Sequence, residues 1–225
     1  MSRSGGSTGS PRTESRERAL GLPDDAFAQK RPLRGLITKS EVRAVSLYKL
    51  GLRRDSIVWD VGAGSGSVAL EAAVIASAGT VYAVERDAEC VEMLRDNVVR
   101  LGPDNVVIVE GEAPDALDAL PAPDCVFVGG GGKGLADILE RVAARLNAGG
   151  RVVVNLASVE RVTEARSCLE SAGFDAELTM IGASRGKALP DGTMRLAAEN
   201  PVFIVTGVNM DVQNRGDEGD SSPPS

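Results

Sequence analysis

Val58-Trp59-Asp60-Val61-Gly62-Ala63-Gly64-Ser65-Gly66-Ser67 reads as an apolar strand that breaks into three glycines at alternate positions, with a helical pattern directly behind it. Glycine lets the backbone turn tightly and lets a ligand lie against it, and the helix start that follows offers N–H groups without intrahelical partners. Nineteen residues after Gly66, a second strand, Thr80-Val81-Tyr82-Ala83-Val84, ends in Glu85. An acid at that position is placed to accept from ribose hydroxyls. The glycine spacing separates two classes of nucleoside ligand. Dinucleotide sites favour G-x-G-x-x-G. Here the run is G-x-G-x-G, and Ser67 stands where the third glycine of a dinucleotide loop would be.

Working outward, strands alternate with helices. Strands are predicted near 57–61, 81–85, 106–110, 125–128 and 151–155, and helices near 67–78, 88–101, 135–146 and 159–172. This alternation predicts an α/β fold, with a mainly parallel sheet covered by helices on both faces. The end of the chain differs. Strands near 174–181 and 202–208 have no helix between them, so they pair antiparallel if adjacent. Upstream, Thr38-Lys39-Ser40-Glu41 reads as a capping box that opens a helix running to about Leu50. Residues 1–18 and 211–225 are polar and rich in Gly, Ser and Pro, so both are expected to be disordered tails around one domain, 19–210.

Composition removes several kinds of chemistry. The chain has no His, which excludes Ser-His-Asp triads, His general bases and His metal sites. Cys90, Cys125 and Cys168 are odd in number and far apart, so they form neither a zinc pattern nor a disulfide framework. No metal site is expected. A net charge of −7 and only 3% aromatic residues disfavour a nucleic-acid partner. No apolar stretch reaches the length of a membrane span, and a reducing cytoplasm is the expected location.

Beyond the Gly62–Gly66 loop and Glu85, several positions are candidates. Asp60 precedes the loop and either braces it or meets the ligand. Gly111-Glu112-Ala113 follows the third strand, where a small residue such as Ala113 makes room for a flat ring. Gly129, Gly130, Gly131 and Gly132 follow the fourth strand; ligands bind beyond the carboxyl ends of parallel strands, so this run is expected on the substrate side. Thr38 is either an N-cap only or a second contact to the ligand loop. Arg185, Lys187 and Arg195 lie in the late segment and are expected to pair with acidic groups of a substrate. No residue presents itself as a general acid or base.

The glycine loop followed by Glu85 resembles motifs one and two of the S-adenosylmethionine-dependent methyltransferases. Further stretches carry a narrower resemblance: Leu22-Pro23-Asp24-Asp25-Ala26-Phe27, Thr38-Lys39-Ser40-Glu41-Val42-Arg43, Glu110-Gly111-Glu112-Ala113-Pro114, Val128-Gly129-Gly130-Gly131-Gly132, and Ser184-Arg185-Gly186-Lys187-Ala188-Leu189 with Asn200-Pro201-Val202. Together they look like the CbiT family, the decarboxylating carbon-15 methyltransferases of precorrin-6 or cobalt-precorrin-6B in cobalamin biosynthesis. One departure is Lys133, directly after Gly131-Gly132. The resemblance implies a Rossmann-like methyltransferase fold with a seven-stranded, mainly parallel sheet and a terminal antiparallel hairpin. It implies S-adenosylmethionine as cofactor, held by Thr38, Gly62, Ala63, Gly64, Ser65, Gly66, Glu85 and Ala113. It also implies a corrinoid substrate, a homotetramer and contact with other cobalamin-pathway enzymes. Two readings compete with it: a tRNA adenine methyltransferase, against which the net charge counts, and a non-catalytic cofactor-binding subunit, against which the intact loop and Glu85 count.

Overall fold

In the computed structural model the described residues are 20–28, 37–129 and 132–210. The expected tails and two of the four late glycines, Gly130 and Gly131, lie outside them. Strand β1 (Ile57–Val61) buries four of its five residues, because it lies inside a sheet covered on both faces. It pairs in parallel with β2 (Thr80–Glu85) on one side and β4 (Cys125–Gly129) on the other. Strand β3 (Val106–Glu110) extends the sheet beyond β2, and β5 (Arg151–Leu156) extends it beyond β4, both in parallel. The chain then adds β6 (Phe174–Ile181) and β9 (Val202–Asn209). Strand β9 inserts between β5 and β6 and runs antiparallel to both. The order is β3-β2-β1-β4-β5-β9-β6, which gives the expected seven strands and the antiparallel ending.

Alternate residues of the apolar strands serve opposite layers. Trp59, Val61, Val126, Val128, Val152 and Val154 pack with α4 (Leu135–Arg145) and α5 (Val159–Ser171). Val58, Val81, Ala83, Cys125, Phe127 and Val153 pack with α1 (Ser40–Leu50), α2 (Ser67–Ile75) and α3 (Ala88–Leu101). Strand order reverses between β1 and β4, and this leaves a crevice at their carboxyl ends.

Two expectations change, and the connection between β6 and β9 gains a structure of its own. Helix α2 stops at Ile75, not near 78. The amide of Asn105 donates to the carbonyls of Ala73, Ala76 and Gly79 at 3.1, 2.8 and 3.2 Å, satisfying the groups that end the helix. The segment between β6 and β9 is itself a hairpin, β7 (Ser184–Ala188) with β8 (Met194–Ala198), turned by Gly192 at φ +82° and by Asp191, which accepts from Thr193 N–H at 3.0 Å. The capping box at Thr38 does not form. Lys39 is the N-cap of α1, and its side chain caps nothing.

The cause is Arg43, which is 1% exposed. Its guanidinium donates to the Thr38 carbonyl at 2.7 Å and the Leu22 carbonyl at 2.5 Å, and to the carboxylates of Glu71 and Asp24 at 2.9 and 3.3 Å. The Phe27 ring lies 5.1 Å from it. Thr38 is thereby held by its backbone. Glu41, which would complete the box, turns instead to Arg185 at 2.5 Å.

Breaking this buried pair from one side leaves Glu71, 4% exposed, without its cation. Arg43→Met should lower unfolding free energy by about 3–5 kcal/mol, and Arg43→Met/Glu71→Gln should lower it by less than Arg43→Met alone. Chemical denaturation of the two variants checks both statements.

Candidate active site

A cavity of about 820 Å³ opens at the carboxyl ends of β1, β2, β4 and β5, within the size range of small-molecule sites. Its floor is the loop after β1. The N–H groups of Gly62 and Ala63 both donate to the Val84 carbonyl, at 2.9 and 3.0 Å, and this locks the loop to the end of β2. Gly62, Gly64 and Gly66 have φ of +76°, +53° and +77°, the left-handed region that glycine adopts without strain. Gly62, Ala63 and Gly64 line the cavity; Ser65 and Gly66 do not. Gly66 is a packing glycine, since a Cβ there would fall 2.3 Å from Leu94 of α3. Ser65 is buried, and its carbonyl accepts from Asn97 at 2.9 Å. The five expected ligand-loop residues thus divide into three in the wall and two in the scaffold behind it.

Glu85 ends β2 in the cavity wall and is 9% exposed. Its Oε2 accepts from Gly64 N–H, and its Oε1 from the N–H groups of Arg86 and Asp87, all at 2.9 Å. A carboxylate offers about four acceptor positions. Three are filled by backbone, so the group is rigid and leaves one outward position for a hydroxyl. Asp60 is the second acid in the wall. Its Oδ2 accepts from Ala69 N–H at 2.8 Å, which braces the first turn of α2. Its Oδ1 is buried without a partner among the described residues. Burial, with Glu85 nearby, raises its carboxyl to about 7. A ligand that brings a cationic N–H donor to Oδ1 would satisfy that oxygen and favour its ionised form. The site therefore fits a nucleoside that also carries an ammonium group.

The rim comes from other elements. Gly111 and Ala113, after β3, are both small, and Glu112 between them pairs with Arg86. Thr38 lines the cavity, and Lys39 rather than Thr38 is the N-cap of α1. Across the floor Gly129 meets Gly62: a Cβ on Gly129 would lie 3.0 Å from the Gly62 carbonyl, and one on Gly62 3.2 Å from the Gly129 carbonyl. Gly129 is thus required by its neighbouring strand. Gly132 and Gly134 line the cavity with open space beside them.

The late cations are placed differently from the expectation. Arg185 is held by Glu41 and Asp24, at 2.5 and 2.9 Å, and it holds the Glu41 carboxyl down to about 2. Lys187 and Arg195 are exposed cross-strand partners on the β7–β8 hairpin. None of the three lines the cavity. The wall holds instead Lys39, Val42, Phe127, Ile138 and Asn155, none of which sequence reasoning singled out. Asn155 carried a readable signal, a polar residue closing the apolar run Val152-Val153-Val154. Lys39 carried none, since a lysine at a helix start reads as solvated surface.

A glycine loop after β1, an acid ending β2 and a sheet closed by an inserted antiparallel strand define the fold of the S-adenosylmethionine-dependent methyltransferases. A SAM-dependent O-methyltransferase from Thermotoga maritima shares it, with a TM-score of 0.67 at 18% identity, covering 80% of this chain and 69% of that one. That likeness shows the fold alone. Residues 26–207 match the precorrin methyltransferase domain. A probable cobalt-precorrin-6B C(15)-methyltransferase (decarboxylating) of Pyrobaculum calidifontis is 40% identical over 188 residues, covering 83% of this chain and 94% of that protein. The crystal structure of precorrin-6y C5,15-methyltransferase from Geobacter metallireducens superposes with a TM-score of 0.79 at 39% identity, covering 84% of this chain and 97% of that one. The chain belongs to the precorrin methyltransferase family, and it is an enzyme.

Two substitutions test the geometry. Glu85→Ala removes a charge-assisted acceptor and should weaken S-adenosylmethionine binding by about 1.5–3 kcal/mol, read by calorimetry. Unchanged affinity would remove Glu85 from the site. Gly64→Ala forces a side chain onto a backbone at φ +53°, at about 1–2 kcal/mol, and places it in the cavity wall. This variant should stay folded by circular dichroism and lose cofactor binding.

Proposed function

We propose that this enzyme uses S-adenosylmethionine to methylate carbon 15 of a precorrin-6B-type corrinoid, with loss of carbon dioxide from the neighbouring acetate side chain, in cobalamin biosynthesis. The observation that carries the reading is a family match over 26–207 joined to a cavity whose wall has the two acids and the small rim that such a cofactor needs. When bound, the cofactor supplies an electrophilic methyl group on a sulfonium.

The protein's own part is binding, orientation and exclusion of water. Glu85, fixed by three backbone donors, accepts from the ribose. Asp60 Oδ1 accepts from the ammonium end. Gly111 and Ala113 leave room for the adenine, and Thr38 closes the near side. The acceptor lies toward β4 and β5, where Gly129, Gly132 and Asn155 form the wall. Departure of carbon dioxide leaves an electron pair that the conjugated macrocycle delocalises to the ring carbon, where it forms the bond to the methyl. The proton that completes the shortened side chain is shifted from the ring, so the one released pair makes one new carbon–carbon bond. Neither bond change calls for a histidine. The same reading includes a cytoplasmic homotetramer in contact with neighbouring enzymes of the pathway; among the described residues no helix is long and apolar enough to cross a membrane.

Mass spectrometry of the product tests the reaction. Incubation with S-adenosylmethionine and a precorrin-6B-class corrinoid should yield a product heavier by one methylene and lighter by one carbon dioxide. Methylation of tRNA with the corrinoid unchanged would overturn the reading.

A further inference from the structure

A corrinoid carries several carboxylates, and a cation in the cavity wall would orient it. Among the described residues two cations line the wall, Lys39 and Arg86. Arg86 is paired with Glu112. Arg43, beneath the same rim, is consumed by Glu71, Asp24 and two carbonyls. The side chain of Lys39 makes no ion pair among the described residues.

Lys39 also stands where the fold gains nothing from it. An N-cap favours Ser, Thr, Asp or Asn, and the positive end of a helix disfavours a cation. A residue that breaks a local rule and faces a ligand cavity marks function more often than packing. Its neighbours place it between the two halves of the cavity. Helix α1 packs on β5, α2, β4 and β9. Lys39, Val42 and Ser46 follow the spacing of one helix face. Val42 lines the cavity beside Lys39, and Ser46 is bonded at 2.9 Å to Asn155 at the carboxyl end of β5. Glu85 ends β2, three strands from β5, or roughly 14 Å across the sheet. Lys39 thus opens a helix whose cavity face is anchored at β5, one residue on from Thr38 at the cofactor side.

From this placement, and resting on the function proposed above, we infer that Lys39 is the substrate-anchoring cation, paired with a corrinoid carboxylate that stays on the ring. The departing carboxylate is the wrong partner. Its charge must flow into the macrocycle, and a cation fixed on it would stabilise the ground state more than the transition state. Lys39 therefore contributes binding and orientation, and its removal acts on KM.

Steady-state kinetics of the full chain, read with product mass, test this. Wild-type turnover comes first: its absence overturns the function proposed above and this inference with it. With turnover established, Lys39→Gln should raise KM for the corrinoid about 10- to 100-fold, the effect of one lost charge-assisted hydrogen bond, with kcat within about twofold. Affinity for S-adenosylmethionine should be unchanged by calorimetry, which also shows that the variant is folded. Salt should raise the wild-type KM and have little effect on that of Lys39→Gln. Lys39→Arg keeps the charge and should restore most of the lost KM. An unchanged KM in Lys39→Gln, an equal loss of cofactor affinity, or a fall confined to kcat would each overturn the assignment.

Discussion

The guanidinium of Arg43 sits 1% exposed beneath the first turn of α1, and its five N–H donors must all find acceptors there. Left unsatisfied, a buried charge of this kind costs several kcal/mol. The chain supplies four acceptors, the Leu22 and Thr38 carbonyls and the carboxylates of Glu71 and Asp24. The four acceptors come from three pieces of the rim: Leu22 and Asp24 from the segment before the first long helix, Thr38 from the turn into that helix, and Glu71 from α2 behind the glycine loop. One cation therefore fixes the relative positions of three elements that share no regular backbone ladder. Glu71 extends the tie, since its carboxylate also accepts from Leu22 N–H at 3.1 Å. The placement of Thr38 and Lys39 on the cavity wall follows from this network rather than from helix capping.

A second ion-pair layer lies above the first. Arg185 of the β7–β8 hairpin reaches Asp24 and Glu41, so the hairpin inserted between β6 and β9 is tied to the start of α1. This pair is partly exposed, and its contribution to stability is small beside that of the buried layer. Its consequence for the site is electrostatic. Arg185 neutralises acids at the start of α1, and Arg86 does the same for Glu112. Asp60 and Glu85 remain, and the loop and its N–H groups hold them in place.

The element order and most boundaries were legible because they rest on local patterns: apolar runs of strand length, helical periodicity, and glycines where the chain turns. β1, β3, α3 and β6 fall where those patterns put them. The glycine loop and Glu85 were legible for the same reason, being contiguous in sequence and adjacent across the β1–β2 pair. What was not legible depended on partners far along the chain. Gly66 looked like a ligand glycine until Leu94, 28 positions on, was found against it. Arg185 looked like a free cation, but Glu41, 144 positions away, holds it. Thr38 looked like a cap because Thr-x-x-Glu is a capping pattern, and no local rule says that both carriers of the pattern are claimed by arginines. Arg43, inside a helix, reads as a solvated side chain; only its burial shows it as the hub.

The charge of the chain adds a last constraint. At −7, the protein repels a polycarboxylate at long range, so recognition depends on charges placed within a Debye length of the bound ligand. Among the described residues, Arg43, Arg86 and Arg185 are each paired with acids. The ion pairs Arg43–Glu71, Arg185–Glu41 and Arg86–Glu112 offset three of the acids, while Asp60 and Glu85 of the wall have no cation paired with them among the described residues. Offsetting those three acids lessens the repulsion of an anionic ligand. It also gives disproportionate weight to any cation left unpaired there. The acid-rich composition and the paired arginines are therefore parts of one arrangement, in which orientation of an anionic substrate depends on very few contacts inside the cavity.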